Sequence, residues 1–362
     1  MPTFSQPEHI QKFLKCGFPR LSDYKCYDYD TLKATNPLAL DYAFGANYYN
    51  LPRRIKLEMS LMRTMAFLVI KDNKVIFEKY YLGANKTSKF NSFSVAKTIV
   101  SLCIGIAIDE GYIESVNQKV SDFLPFYNVG NDTSLRIIDL LTMSSGTKWN
   151  EDFANPFSDI IMAYYGSNLD SLIEQNHVVS QPGVEWKYQC GNTLLLAKVL
   201  EKATGEPLWQ YAYKKLWQPL GAQHDAYWSK DKINGTTKAF CCFYATAEDY
   251  AKLGLLVLNK GKYNGVQIVS SKYIDEMIKP ATWLKYKNKP VDFYAKHIWL
   301  VKHNNEIIPY FSGMFGQYIF MFPKENALVV RFGEMVNELA IVPLPRDVSI
   351  YLKAADNLLK HF

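Results

Sequence analysis

The chain has no large excess of charge of either sign and no extended basic cluster. Its 41 Lys and Arg residues are opposed by 35 Asp and Glu residues, which leaves a formal net charge of +6 over 362 residues. The densest basic stretch is Arg53-Arg54-Ile55-Lys56, which is typical of a solvated helix start rather than of a nucleic-acid surface. We therefore expect no nucleic-acid partner.

Long apolar runs are missing too. The run Thr98–Ile108 is too short to cross a bilayer, so we expect no transmembrane segment. Residues 1–35 lack the apolar core of a signal peptide. The expected location is therefore the cytoplasm, or the periplasm or exterior if the numbered chain is a processed form.

The cysteine and histidine spacings of metal sites are absent. The six cysteines form no Cys-x-x-Cys pair, and the six histidines show no zinc-type spacing. Cys16 and Cys26 could pair in an oxidising compartment, although nothing in the sequence requires it. A Gly-x-Ser-x-Gly elbow, which would support a Ser-His-Asp triad, is also missing. The sequence implies no metal and no cofactor.

What the chain does contain is Ser94-Val95-Ala96-Lys97, at the start of an apolar run. In a helix these two side chains lie one turn apart on the same face, where a neutral lysine could take the serine's proton and create a nucleophile. The same spacing begins at Ser22, Ser145 and Ser229, in a polar stretch, a glycine turn and a charged turn. Only the Ser94 copy leads from a polar loop, Gly83–Asn91, into a helix-length apolar run.

A buried helix with Ser94 in its first turn would direct backbone N–H groups and a partial positive charge towards a reacting centre. The alternative is an N-cap serine followed by a lysine that extends to solvent. The motif alone leaves both interpretations open.

Strand signals cluster at the two ends of the chain, with helical signals between them. Met65–Ile70 and Val75–Tyr81 predict a hairpin that turns at Asp72-Asn73. Further strands are predicted at 298–302, 316–322 and 327–332, and further helices at 135–141, 159–165, 193–200, 245–258 and 347–359. This order indicates an α/β fold of the α+β type. We expect a mixed, mainly antiparallel sheet of about five strands, flanked by helices, with an inserted and mostly helical lobe.

The expected division has three parts. Residues 1–60 form an irregular N-terminal arm, residues 61–116 and 235–362 a sheet-containing α/β domain, and residues 117–234 the helical lobe.

Three further blocks follow the Ser94 motif in order: Leu140–Gly146 (LLTMSSG), Tyr188–Asn192 (YQCGN) and Gly313–Gln317 (GMFGQ). Together with Ser94-x-x-Lys97, they resemble the serine β-lactamase and penicillin-binding protein superfamily. The similarity is greatest to its class C-like branch of esterases, D-amino-acid peptidases and 6-aminohexanoate-dimer hydrolases. It covers roughly residues 60–340 and implies a β-lactamase/transpeptidase-like fold. The block at Leu140–Gly146 is interpreted as a structural turn.

The resemblance implies roles for individual residues. Ser94 matches the nucleophile, Lys97 its basic partner, and Tyr188 the tyrosine of the Tyr-x-Asn element, which shares general acid/base work with the lysine. A phenol beside an ammonium loses its proton more readily, so we expect Tyr188 to relay a proton to the leaving group. The alternative is that Tyr188 has no catalytic role and only packs in the core, as we expect for most of the 25 tyrosines.

The chain departs from the family pattern in two places. Cys190 occupies the third Tyr-x-Asn position, where it could line the pocket, and Asn192 falls two residues later. The Lys-Thr-Gly motif has no lysine here; its place is taken by Tyr310–Gln317. Ser312 is expected to take part of that role, and the backbone at Gly313 or Met314 to supply an oxyanion donor beside the Ser94 N–H. The missing cation argues against recognition of a substrate carboxylate such as that of penicillin.

The sequence thus favours a serine hydrolase that acts through an acyl-enzyme on a small ester or amide. Two alternatives stay open: a penicillin-binding D,D-peptidase or β-lactamase, and a non-catalytic binding protein that keeps the fold. The oligomeric state is not indicated.

Overall fold

The computed structural model describes residues 7–336 and 345–362. Its helices are α1 (Glu8–Cys16), α2 (Arg53–Leu61), α3 (Ala96–Asp109), α4 (Ile137–Leu141), α5 (Asp159–Tyr165), α6 (Leu169–Glu174), α7 (Cys190–Thr204), α8 (Leu208–Ala212), α9 (Ala247–Leu258), α10 (Ser271–Met277) and α11 (Val348–Leu359). Within the described ranges, no helix combines the length and the apolar character needed to cross a membrane.

The strands are β1 (Asp28–Leu32), β2 (Asp41–Tyr42), β3 (Thr64–Lys71), β4 (Lys74–Tyr80), β5 (Phe90–Asn91), β6 (Ala226–Lys230), β7 (Phe243–Ala245), β8 (Lys262–Tyr263), β9 (Val266–Gln267), β10 (Lys285–Tyr286), β11 (Lys289–Pro290), β12 (Trp299–His303), β13 (Glu306–Gly313), β14 (Gln317–Phe322) and β15 (Ala327–Gly333). The main sheet has the order β12-β13-β14-β15-β3-β4-β2. Its strands are antiparallel apart from the short parallel pair of β2 and β4. The predicted fold class is confirmed.

The sheet has seven strands rather than about five, because β2 and β13 were not predicted. Strand β13 contains Pro309, and a proline within a short apolar run argues against a strand since it cannot donate to the ladder. The neighbouring strands nevertheless pair along its length, with Trp299 opposite Tyr310 and Phe311 opposite Ile319. This missed strand matters because it carries Ser312 and Gly313.

The hairpin turns have the backbone that the sequence predicts. Asp72 and Asn73 both have positive φ, 50° and 60°, and Asn304 and Asn305 repeat this with 47° and 60°. Positive φ at both central residues defines the type I′ turn, whose twist suits antiparallel strands. The tip of the β3–β4 hairpin and the β12–β13 connection are thereby explained by local sequence.

The N-terminal arm is more regular than predicted. Its strand β1 pairs with β6 in a second sheet of order β1-β6-β7-β5. Asp28–Leu32 (DYDTL) has three polar residues among its five and lies at the edge of that sheet, so its apolar signal is weak. The proposed division into arm, sheet domain and helical lobe stays a prediction.

Helix α3 is the central helix of the molecule. Twelve of its fourteen residues, Ala96 to Ala107, are buried, which explains why the run is apolar on all sides. It packs against α7 and α8, while α9 lies on strands β14 and β15. Helix α9, predicted at 245–258, begins at Ala247, because the Thr246 side chain accepts the Asp249 N–H as an N-cap.

Candidate active site

Ser94 lies in a single 3₁₀ turn, Phe93–Val95, that leads directly into α3. Phe93 has a φ of 45°, which is unusual for a bulky residue. The turn is held by two hydrogen bonds, from the Phe93 N–H to Asn91 Oδ1 (2.9 Å) and from the Ser92 N–H to the Phe243 carbonyl (2.8 Å). Ser94 itself remains partly exposed. Such backbone strain is typical of a residue that the surrounding structure forces into a functional position.

Lys97 lies one helical turn after Ser94 and is only 2% exposed. Its Nζ is 2.9 Å from Ser94 Oγ and 2.9 Å from the carbonyl oxygen of Phe240. The alternative of a lysine that extends to solvent is therefore wrong, because this side chain is directed inwards.

Tyr188, two residues before α7, also lies beside Lys97. The Lys97 Nζ lies 5.0 Å from the centre of its ring, and its phenol is near enough to the Ser94 hydroxyl for that hydroxyl to act on its pKa. Burial raises the pKa of Tyr188 well above its usual value, and the Glu151 carboxylate acts in the same direction, against the effect of the Ser94 hydroxyl. The expectation that this phenol loses its proton more readily is therefore wrong. It is a proton donor in the resting protein.

The segment that carries Tyr188 is fastened to the turn at Thr142–Gly146. The Lys187 N–H donates to the Met143 carbonyl (2.8 Å), and the Ser145 hydroxyl donates to Asn192 Oδ1 (2.6 Å). Asn192 is fully buried, so its amide serves packing between α7 and this turn rather than lining an accessible surface.

Cys190 is 3% exposed and faces away from solvent. Its Sγ–H donates to Glu151 Oε1 (2.8 Å) and its backbone N–H donates to Glu151 Oε2 (2.8 Å). Burial, the Glu151 charge and the bond to that carboxylate raise the pKa of the Cys190 thiol well above its usual value, against the opposing effect of Lys97. Sequence reasoning missed Glu151, because nothing in the local pattern relates it to a cysteine 39 residues later.

The predicted residues Ser312, Gly313 and Met314 lie where strand β13 ends. A Cβ atom on Gly313 would lie 2.3 Å from the Ser92 carbonyl oxygen, so a glycine is needed for the strand to come this close to the Ser94 turn. Ser312 and Met314 are partly exposed. In the described part of the chain the Met314 N–H has no protein acceptor. An amide in that state is free to bind a substrate oxygen.

His297 is a second residue that sequence reasoning missed. Its Nε2 lies 3.1 Å from Thr193 Oγ1, and its carbonyl accepts the Thr98 hydroxyl (2.9 Å), so it connects α7 with α3 behind the site. Burial and the nearby charge of Lys97 lower the pKa of His297 to about 3. The ring is therefore neutral at physiological pH, and adds no charge beside Lys97.

Aromatic side chains form one wall of the site. Tyr188 stacks on Trp299 with ring centres 5.6 Å apart, and Trp186 packs edge-on against Trp299 (5.9 Å) and Phe293 (5.1 Å). Rings of this kind offer an apolar surface of fixed shape to a substrate.

A cavity of about 580 Å³ lies elsewhere, at the C-terminal end of α3, between Asp109, Arg136 and Lys296. It shares no lining residue with the cluster of Ser94, Lys97 and Tyr188. The convergence of reactive groups, not cavity size, therefore identifies the candidate site. Within residues 7–336 and 345–362, no three His, Cys, Asp or Glu side chains are grouped as metal ligands would be.

The carbonyl that holds Lys97 is followed at once by a disulfide between adjacent residues, Cys241 and Cys242. The Cys241 carbonyl also accepts the Trp228 indole N–H (3.1 Å). Cys16 and Cys26, which could have paired, are free thiols.

Several known proteins have sequences similar to this chain. A family model described as Beta-lactamase matches residues 56–338. The 6-aminohexanoate-dimer hydrolase of Paenarthrobacter ureafaciens is 24% identical over 284 residues, which cover 74% of this chain and 72% of that protein. The teichoic acid D-alanine hydrolase of Staphylococcus aureus (strain MRSA252) is 27% identical over 154 residues, 42% of this chain and 34% of that protein. The chain thus spans about a third of the length of this second relative.

Solved structures show the same fold. A Bacillus anthracis protein provisionally named a 6-aminohexanoate-dimer hydrolase superposes with a TM-score of 0.78, at 19% identity over 92% of this chain and 91% of that one. A family VIII carboxylesterase superposes with a TM-score of 0.66, at 16% identity over 84% of this chain and 96% of that one.

Proposed function

The chain belongs to the Beta-lactamase family, a family of hydrolases, and on that premise we propose that it is a serine hydrolase that cleaves small esters or amides through an acyl-enzyme. Ser94 is the nucleophile, Lys97 the general base and Tyr188 the general acid. The observation that carries the proposal is the meeting of three groups: Lys97 Nζ lies 2.9 Å from Ser94 Oγ and 5.0 Å from the centre of the Tyr188 ring.

Acylation follows from these contacts. As Ser94 Oγ bonds to the substrate carbonyl carbon, its proton passes to Lys97 Nζ and the carbonyl oxygen becomes an oxyanion. The N–H groups of Ser94 and Met314 donate to that oxygen. Tyr188 gives its proton to the departing oxygen or nitrogen, the carbon-leaving group bond breaks, and the proton held by Lys97 neutralises the phenolate.

Deacylation repeats these steps with water. Lys97 takes a proton from water as the water oxygen attacks the acyl carbon, and the bond to Ser94 Oγ breaks as Lys97 passes that proton to Ser94 Oγ. The acid product leaves and the residues return to their starting state.

The substrate class is argued from the walls of the site. The rings of Trp186, Tyr188 and Trp299 favour apolar groups beside the scissile bond. No lysine lies on β13 to bind a substrate carboxylate. The relatives named for hydrolysis of a 6-aminohexanoate dimer and of carboxylic esters support an ester or amide of this kind. A β-lactam or a peptidoglycan stem peptide is disfavoured for want of that cation.

Labelling with a fluorophosphonate tests the nucleophile. Intact mass should show one adduct on the wild type and none on Ser94→Ala. Ser22→Ala, at an exposed serine in another Ser-x-x-Lys sequence, is the matched control and should label fully. Equal labelling of wild type and Ser94→Ala would overturn the assignment.

Turnover separates the alternatives. Hydrolysis of p-nitrophenyl esters that is lost in Lys97→Ala supports an enzyme, whereas no turnover by the wild type would favour a binding protein. A stable penicilloyl adduct or nitrocefin hydrolysis would favour the D,D-peptidase or β-lactamase alternative instead.

A further inference from the structure

Behind the reacting groups lies a carboxylate to which no role has been given. Glu151 is partly buried and accepts three hydrogen bonds, from the Trp149 indole (2.7 Å) and from the backbone N–H and the thiol of Cys190 (both 2.8 Å). Three of the four lone-pair directions of this carboxylate are thus occupied by fixed donors. Its position is set by the start of α7, two residues after Tyr188.

Cys190 stands between this carboxylate and Lys97. Its thiol hydrogen is directed to Glu151 Oε1, and Lys97 is near enough to oppose the rise in the pKa of the same thiol. Lys97 in turn contacts Ser94 Oγ (2.9 Å). Hydrogen bonds thus join Glu151 to Cys190 and Lys97 to Ser94, and the charge of Lys97 acts on both Cys190 and Glu151.

We propose that Glu151 is a positioning residue for the acid/base pair: through the Cys190 thiol it holds the Lys97 amine against Ser94, and its negative charge balances the positive charge that Lys97 gains during acylation. The inference rests on the proposed function, because it requires Lys97 to be the base. Cys190 is then a connecting group, in place of the amide found at this position in the Tyr-x-Asn element.

A purely structural role makes a different prediction. Glu151 accepts the first N–H of α7, where a carboxylate is favoured by the helix dipole, so it could be only a cap. A neutral glutamine could accept the same two N–H bonds without the cost of a buried charge. If the negative charge of Glu151 serves Lys97, Glu151→Gln should therefore lower the activity without lowering the stability of the fold.

The pKa of the Glu151 carboxyl decides whether Glu151→Gln raises or lowers the stability of the fold. Burial raises the pKa of the Glu151 carboxyl above its usual value, although the Lys97 charge and the Cys190 and Trp149 hydrogen bonds oppose this. A group with a raised folded-state pKa stabilises the fold most at low pH, and that contribution is lost as pH rises through the folded value. Above that folded value the buried carboxylate no longer stabilises the fold in this way, and Glu151→Gln removes its desolvation cost.

The test compares wild type, Glu151→Gln, Cys190→Ala and the double variant. We expect Glu151→Gln to lower kcat/KM for a p-nitrophenyl ester by about tenfold or more, without lowering the Tm at about pH 8. The acidic limb of its pH profile should move to lower pH, since protonated Lys97 loses a neighbouring negative charge. If Glu151 acts through Cys190, the double variant should be no slower than the slower single variant.

Asp132→Asn is the matched control. Asp132 is a buried carboxylate that also accepts one backbone N–H, from Val178 (2.7 Å), and it lies outside the group formed by Glu151, Cys190, Lys97 and Ser94. It should keep the wild-type kcat/KM and pH profile. The inference is overturned if Glu151→Gln keeps the wild-type profile, or if its activity falls only as its Tm falls. Failure of the proposed function would be seen separately, as fluorophosphonate labelling of Ser94→Ala.

Discussion

At the scale of single residues, local spacing identified the reactive groups and burial decided their protonation. Ser94 and Lys97 are neighbours because a helix brings residues three apart onto one face. The protonation state of the Tyr188 phenol could not be predicted from the sequence. The sequence suggested a phenol that ionises beside an ammonium, whereas enclosure by Trp299 and Tyr294 keeps it neutral.

Tyr188→Phe should therefore remove a proton donor. We expect kcat/KM to fall by about 10²- to 10⁴-fold, the usual contribution of general acid–base catalysis. Because the raised pKa keeps the phenol protonated, the ratio of wild-type to variant kcat/KM should stay constant from about pH 6 to 9.

Tyr294→Phe is the control for packing, since Tyr294 is buried against the same Trp299 at 4.9 Å between ring centres. It should lose far less activity. A loss in Tyr188→Phe that develops only at high pH would contradict the donor role.

At the scale of elements, the connection before β7 is where the sequence is least informative. The sequence around Phe240 predicts no role for it, yet its carbonyl accepts a hydrogen bond from Lys97 Nζ (2.9 Å). The adjacent Cys241–Cys242 disulfide fixes the peptide immediately after it. A contact across 143 residues of chain cannot be derived from any local pattern.

Reduction of this disulfide should loosen the Phe240 carbonyl. We expect a phosphine reductant to lower kcat/KM by about 2- to 12-fold, the equivalent of one hydrogen bond of about 0.5–1.5 kcal/mol. Activity and thiol count, by iodoacetamide mass labelling, should change together.

The Cys241→Ser/Cys242→Ser variant is the control. It should have the activity of the reduced wild type and show no response to reductant, because the other four cysteines are free thiols. Reduced wild type with full activity would show that the carbonyl is held by other contacts.

At the scale of the whole molecule, the N-terminal arm is tied to the Ser94 turn through a buried carboxylate. Asp23 accepts hydrogen bonds from Tyr244 (2.7 Å), Tyr164 (3.1 Å) and the Asn91 amide (3.3 Å). Asn91 in turn holds the Phe93 N–H. Three distant parts of the chain therefore meet at one side chain.

Asp23→Ala should lower the free energy of unfolding by about 1.5–3 kcal/mol, because it leaves buried donors without a charged acceptor. The measurement is the urea midpoint at unchanged m value. Asp41→Ala, at an exposed residue of β2, should change stability by no more than about 0.5 kcal/mol. Equal effects of the two changes would contradict a linking role for Asp23.

The sequence by itself determined the family, the helix that carries Ser94 and Lys97, the tight hairpin turns and most strands, because these depend on spacing and periodicity within a few residues. Only the tertiary structure decided that β13 exists despite Pro309, and that Glu151, Phe240 and His297 surround Lys97. These depend on contacts between segments far apart in the chain, such as Glu151 and Cys190, 39 residues apart. Burial, which sets the pKa of Tyr188 and Glu151, is likewise a property of the assembled core and of no segment alone.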